Sequence, residues 1–298
     1  MTMQVSSIFE PKTESIFIKS TKIPATNEDA FDYHAREGAL ERLVPPWSIL
    51  TVTTHERNIR DGAISAFHVS FGVIGFKWTA VHFGYLKDRQ FQDKMVKGPF
   101  QSWIHTHSFI PSEIGHCIME DKIAYSPPFG KLGPTLSDNN IQNNLNQLFH
   151  YRHRILSNDI NLWKIAGRSK GQKILITDSH GLIGSSLIPL LTAAGEHKIT
   201  RLARPPSNRN NNNTNLHSII WDPSEDKVNV KELERFDVVV HLAGENIFGR
   251  WTDSKKQRIL ESRIKSTRLL CDSLIKLANP PSTLILCLCN GILRKPRK

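Results

Sequence analysis

The residues best suited to chemistry lie between Lys173 and Gly184, where the chain reads KILITDSHGLIG. An apolar run, Ile174 to Ile176, passes through Thr177 into a short polar turn and on to glycines spaced Gly181-x-x-Gly184. This is how a buried parallel strand turns into a helix whose first backbone N–H groups receive a phosphate. The backbone must come close to such a ligand, and side chains larger than hydrogen would block it. Leu182 and Ile183, between the glycines, open the helix. A second strand, 198–203, ends in Arg204, twenty positions after Gly184. Dinucleotide-binding units that take NAD place an acid near this point, on the ribose 2′-hydroxyl. An arginine pairs instead with a 2′-phosphate, so the residue type favours NADP over NAD.

Other reactive side chains are scattered. His105-x-His107 puts two imidazoles on one strand face, and His68, His82 and His116 lie on nearby strands. Two histidines at i and i+2 can ligate a metal, but the sequence sets no third ligand. Half-buried strand histidines are the expectation, and no metal site is assigned. Asp121 and Tyr125 are placed at a pocket mouth or in a structural hydrogen bond. Cys117, Cys271, Cys287 and Cys289 form neither a disulfide framework nor a zinc-ligand set, and are expected to be reduced thiols.

The elements that position these residues belong to a chain of 298 residues, long enough for two cores. With 39% hydrophobic and 22% charged residues it has no apolar run of transmembrane length. The N-terminus lacks an apolar signal region, so the expected location is cytoplasmic. The net charge of +11 raises nucleic acid as a partner. The basic residues are dispersed, however, apart from the run 294–298, and no recognition motif accompanies them. A basic surface without nucleic-acid binding is the expectation.

Twelve of the 14 phenylalanines and all 4 tyrosines precede residue 168, which divides the chain. We expect one domain over 1–168 and another over 169–298, joined at Gly167-Arg-Ser-Lys-Gly171. The first reads as a strand (17–23), a helix from Asn27 to the Pro45-Pro46 stop, six alternating strands between 49 and 125, and a helix over 137–157. The second reads β-α-β: strand 173–177, a helix through Leu191 that Pro189 should kink, and strands at 198–203, 218–221, 238–240 and 284–287. A long helix spans 255–278. The tract 207–215 (SNRNNNNTN) reads as a mobile loop.

Helix, antiparallel strands and long terminal helix, together with GPFQSWIHTHSF and MEDKIAYSPPFG, resemble the α+β helix-grip fold of START-like (SRPBCC) domains. That resemblance implies an apolar cavity and a hydrophobic small-molecule ligand. In the second half KILITDSHGLIGSSL, DVVVHLAGENI, RWTDSKKQRILESRIKSTRLL and WDP (221–223) resemble the extended short-chain dehydrogenase/reductases. The nearest branch is the NAD(P)-dependent epimerases of the cell-division-inhibitor-like type. The resemblance covers 172–286 with specific motifs and the first 165 residues more loosely. It implies an α/β doubly wound Rossmann-type domain and an NADP-dependent epimerase/dehydratase-like oxidoreductase, acting on a nucleotide-sugar-like or other small substrate.

On this resemblance Gly181 and Gly184 are the second and third glycines of a GxxGxxG turn, and Thr177, Leu182 and Ile183 beside them are cofactor-binding residues as well. Arg204 contacts the adenosine phosphate, and Leu242, Ala243 and Gly244 line the cofactor. Arg250, Trp251, Lys256, Ser262 and Arg263 match an RWT…K…SR signature that shapes the active-site side of the cleft. Two departures stand out. Asp178 replaces the first glycine, where tight backbone geometry is needed and a carboxylate would face a pyrophosphate. The family's catalytic Ser and Tyr-x-x-x-Lys have no counterpart, since all four tyrosines (Tyr33, Tyr85, Tyr125, Tyr151) lie in the first half without a lysine four residues on. No catalytic residue is therefore assigned. The expectation is a C-terminally truncated chain, impaired or inactive as it stands. The alternative is a non-catalytic module pairing a hydrophobic-ligand domain with a nucleotide-binding half-Rossmann unit.

Overall fold

A computed structural model describes residues 14–48, 50–55, 58–71, 74–127, 138–167, 171–205 and 216–287. The 207–215 tract and the C-terminal basic run fall outside them. The chain divides into two compact units, one holding residues up to Ala35 and Leu43–Ile165, the other Arg36–Arg42 and the chain from Ala166 onward.

The first unit is a seven-stranded sheet of order β1-β7-β6-β5-β4-β3-β2. Its strands are β1 (Ser15–Ile23), β2 (Leu50–His55), β3 (Ile64–Phe71), β4 (Ile74–Leu86), β5 (Gln90–Lys97), β6 (Ser102–Pro111) and β7 (Cys117–Ser126). All pairings are antiparallel. Register shifts at Val52/Thr54, Thr79/Ala80 and Phe83/Leu86 insert the bulges that bend antiparallel strands. Period-two patterning decides the faces: Cys117, Met119, Asp121, Ile123 and Tyr125 of β7 are all buried, and their neighbours are less so.

Against this face lies α3 (Asp138–Ala166), where Ile141, Leu145 and Phe149 pack on Phe17, Ile123 and Tyr125. Each such side chain contributes roughly 1.5–3 kcal/mol by leaving water. The helix runs well past the 137–157 expected because its buried stripe continues through Leu156 and Ile160. Trp163 then stacks on Tyr33 at 5.5 Å. The single helix expected from Asn27 to Pro45 is two, α1 (Asn27–Ala35) and α2 (Ala39–Arg42), because the chain turns at Gly38 with φ +81. Only glycine adopts that geometry at little cost.

Among its described residues the second unit contains five parallel strands: β8 (Lys173–Thr177), β9 (Lys198–Ala203), β10 (Ser218–Asp222), β12 (Val238–His241) and β13 (Thr283–Leu286). A short strand, β11 (Lys227–Val228), joins β10 antiparallel at the edge and was not foreseen. The sheet order is β11-β10-β9-β8-β12-β13. Its direction of winding therefore reverses between β8 and β12, a switch point at which α/β sheets open a crevice beyond their carboxyl ends.

Alternate strand residues face opposite layers, as a sheet covered on both sides requires. Ile174, Ile176, Ile199, Val238 and Val240 pack with Leu187, Ile188 and Leu191 of α4 (Leu182–Ala193). Leu175, Leu202, Ile219, Trp221 and Val239 pack with Leu270 and Leu274 of α5 (Asp253–Leu274). The helix α4 continues through Pro189, where a kink was expected. A Cβ on Gly38 would stand 3.0 Å from the Pro189 backbone, so α2 lies close on that turn.

Candidate functional site

At the end of β8 the chain turns through Asp178–Gly181 and enters α4. Asp178 adopts φ +52, the left-handed region that the glycine expected at this point would occupy freely. The Gly181 N–H donates to the Asp178 carbonyl at 3.0 Å and closes the turn. Gly184 permits the close approach: a Cβ there would meet the Asp178 carbonyl oxygen at 2.4 Å and the Ser179 Cα at 2.9 Å. No side chain caps α4 and none in its first turn is acidic. The helix start thus keeps its partial positive charge for an anion. Leu182 and Ile183 are exposed here (82% and 53%), apolar surface beside the cradle.

Charged groups around the turn oppose one another. The Asp178 carboxylate folds over Gly181, its Oδ2 only 2.2 Å from where a Gly181 Cβ would be. Burial pushes its pKa up, while the charges of Arg204 and His180 pull it down. Arg204 is exposed immediately after β9, within electrostatic reach of that carboxylate. Arg201, by contrast, is buried in β9 and its Nη1 lies 3.0 Å from His180 Nε2. A guanidinium only donates, so His180 accepts with Nε2 and is neutral. Burial first, and then the Arg201 charge, lower the His180 pKa accordingly. The two arginines have different work: Arg201 braces the turn, Arg204 faces solvent.

The opposite wall is built from β12 and α5. Thr177 is fully buried, and its hydroxyl accepts from the N–H groups of Leu242 and Ala243, both at 2.9 Å. It also lies 3.0 Å from His241 Nδ1. With two donors already directed at its oxygen, the hydroxyl donates its own proton to that nitrogen. His241 Nε2 then carries the hydrogen toward Thr267 and Ser266, at 3.2 and 3.3 Å. Burial holds this imidazole neutral, its pKa lowered to about 4. Thr177 was expected to touch the cofactor. Its hydroxyl is committed inside the protein, so it instead positions Leu242 and Ala243.

The loop after β12 is pinned from α5. The Glu245 N–H donates to Ser262 Oγ at 2.9 Å, and Arg263 Nη1 donates to the Glu245 carbonyl at 3.3 Å. The guanidinium of Arg263 lies under Gly244, where a Cβ would come within 3.0 Å of its Cζ. The Glu245 carboxylate takes Lys255 at 2.9 Å and Arg258 at 3.5 Å, which lowers its pKa. Of the RWT…K…SR residues, Ser262 and Arg263 therefore hold the loop. Thr252 caps α5 by accepting from the Lys255 N–H. Trp251 bonds the Ile247 carbonyl at 2.8 Å, Lys256 pairs with Asp253 at the surface, and Arg250 is exposed.

The structure thus brings Gly181, Leu182, Ile183, Gly184 and the Leu242–Gly244 segment to the carboxyl ends of the adjacent strands β8 and β12. His180, His241 and Glu245 were not singled out from sequence. For His241 the signal was a histidine ending an otherwise apolar strand, VVVH. In the first unit Tyr125 donates to Asp138 at 2.5 Å, a structural bond, and Asp121 is fully buried. No helix among the described residues is long and apolar enough to cross a membrane.

Comparison with known proteins gives these groups a context. Residues 174–289 match the NAD dependent epimerase/dehydratase family. The epimerase family protein YfhF of Bacillus subtilis is 38% identical over 114 residues, which are 38% of this chain and 36% of that protein. The human epimerase family protein SDR39U1 is 31% identical over 117 residues, again 38% of this chain and 36% of the relative. The chain thus spans about a third of these relatives. A crystal structure of a nucleoside-diphosphate sugar epimerase from Corynebacterium glutamicum superposes with a TM-score of 0.71 at 26% identity, covering 91% of this chain and 54% of the other.

Proposed function

We propose that the second unit binds NADP and that the chain is an epimerase/dehydratase-like oxidoreductase component of the extended short-chain dehydrogenase type. The observation that carries this reading is the uncapped start of α4 behind a glycine-lined turn, at the switch point between β8 and β12. A pyrophosphate fits where added Cβ atoms would fill the cradle, against the first N–H groups of α4. Arg204, exposed just after β9, takes the 2′-phosphate. Leu182, Ile183 and the Leu242–Gly244 segment offer apolar and backbone surface along the dinucleotide. The cofactor, when bound, supplies reversible hydride transfer to carbon.

The chain's own residues hold and orient. Thr177 and His241 fix the end of β12, while Ser262 and Arg263 fix the loop that follows. Asp178 opposes binding, since its carboxylate occupies the phosphate side of the turn. The substrate we assign is a nucleotide-sugar-like or other small molecule, with a hydrophobic ligand for the first unit.

Titration of the purified chain with NADPH and NADH, followed by nicotinamide fluorescence, tests the reading. Arg204→Ala should weaken NADPH about tenfold, one charged hydrogen bond at an exposed position, and leave NADH nearly unchanged. Absence of NADPH binding up to millimolar concentration would remove the cofactor assignment. An equal loss for both dinucleotides would remove the role given to Arg204.

A further inference from the structure

The first unit buries a group of ionisable side chains that the nucleotide site does not use. His105 and His107 project from the same face of β6, as residues two apart on a strand must. Across the ladder, Asp93 of β5 stands opposite His105, and Asp121 of β7 stands opposite His107. Four ionisable residues from three neighbouring strands therefore share one face, and His153 reaches them from α3. Asp121 is fully buried. Its Oδ1 lies 2.8 Å from His105 Nε2 and 2.7 Å from His107 Nδ1, and its Oδ2 lies 2.5 Å from His153 Nε2. The remaining ring nitrogens turn toward Asp93, whose Oδ2 is 3.2 Å from His105 Nδ1 and 3.6 Å from His107 Nε2.

We propose that Asp93, His105 and His107 form a binding site for a divalent transition metal of the zinc, cobalt and iron class, with Asp121 orienting both imidazoles from behind. The spacing fits. Nitrogen and oxygen ligands about 2.0–2.1 Å from a tetrahedral ion lie about 3.3 Å from one another. One ligand atom from each of the three residues falls within 4.8 Å of the other two. The chemistry fits as well, because two imidazoles and one carboxylate suit borderline divalent ions.

Asp121 supplies what such a site needs beyond its ligands. A carboxylate on the far nitrogen of a metal-bound histidine fixes its tautomer and ring orientation; Asp121 hydrogen-bonds His105 in this way and lies within ion-pair distance of His107. Asp93 and Asp121 together balance the charge of a divalent ion inside the protein. Three protein ligands leave one tetrahedral position for water or a small ligand, and the partly exposed Asp93 side chain (16%) marks the side of access. A proton on His105 is the competing occupant. Burial alone would lower that pKa, but hydrogen bonds to Asp121 and Asp93 outweigh it and raise the value to about 9.

The test uses the full, untagged chain, stripped with a chelator and titrated with Co²⁺. We expect equimolar uptake with the visible absorption of a low-symmetry cobalt site, bleached by added Zn²⁺. Asp93→Asn and His107→Gln should each weaken uptake by tenfold or more, while His68→Ala, at an exposed histidine of β3 outside the cluster, leaves it unchanged. Far-UV circular dichroism checks that each variant folds. X-ray absorption on the zinc-loaded wild type needs no variant and should count two imidazole ligands. A folded chain that takes up no Co²⁺ overturns the proposal. So does uptake that survives in Asp93→Asn, or a zinc spectrum without imidazole.

Discussion

Asp178 offers the sharpest perturbation, because one residue combines backbone strain with charge at the proposed phosphate cradle. Its φ of +52 costs a non-glycine residue about 1–2 kcal/mol. Asp178→Gly removes that cost but adds about 0.5–1 kcal/mol of unfolded-state entropy. Stability should therefore rise by about 0–1.5 kcal/mol. The effect on affinity is larger. A carboxylate about 5 Å from one phosphate charge repels it by about 1–3 kcal/mol for effective dielectrics between water and a protein surface. Asp178 is exposed as a residue, and Arg204 screens it, so the lower end applies. NADPH should bind about fivefold more tightly to Asp178→Gly. Asp178→Asn separates the two contributions: it keeps the left-handed backbone and drops only the charge, and should recover most of the gain.

Acidification tests the same charge by titrating it. Burial raises the Asp178 pKa, so the carboxyl takes up its proton at a higher pH than an ordinary aspartate. The folded state binds this proton more readily than the unfolded chain, and the penalty of the charge is relieved as the pH falls through the raised value. The affinity ratio between Asp178→Asn and wild type should accordingly shrink toward one on acidification. Using the ratio cancels the titration of the cofactor's own phosphates. If both variants bind NADPH no more tightly than wild type, the carboxylate does not face the pyrophosphate and the argument fails.

Two further substitutions test the scaffold. Gly184→Ala puts a methyl group 2.4 Å from the Asp178 carbonyl oxygen, so the turn and α4 must separate. Overpacking of this kind should cost about 1–3 kcal/mol in denaturant unfolding, and an unchanged midpoint would show that the approach is not tight. Thr177→Val deletes the hydroxyl that satisfies the Leu242 and Ala243 N–H groups. Leaving these donors without a partner should cost about 2–4 kcal/mol, and Thr177→Ser should restore most of it. Equal stability of the valine and serine variants would show that water or another acceptor replaces the hydroxyl.

Much of the fold could be read from local pattern. β9 was legible to the residue because Ile199, Leu202 and Ala203 lie between Gly195 and the Arg204-Pro205-Pro206 sequence. The strands of the first unit followed from alternation, and Gly181-x-x-Gly184 followed from the chemistry of phosphate approach. Misreadings occurred where a long-range contact overrode the local signal. The stripe 27–43 looked like one helix, yet the turn at Gly38 divides it and sends 36–42 to the second unit. The helix begun at 138 outran its expected end because Trp163 found Tyr33, 130 positions away in sequence.

Residue types and spacing alone marked the turn proposed to receive a phosphate, and Arg204 alone carried the expectation of NADP over NAD. These are properties of a few consecutive residues, whose geometry the backbone fixes locally. Tertiary structure decided what those residues touch. It directed the Thr177 hydroxyl inward to β12, separated the brace Arg201 from the exposed Arg204, and laid the Asp178 carboxylate over Gly181. It also placed carboxylates beside His105-x-His107. Asp93 and Asp121 stand on the neighbouring strands, 12 and 14 residues from the nearest of these histidines. Strand register, which no local pattern encodes across a turn, places them face to face.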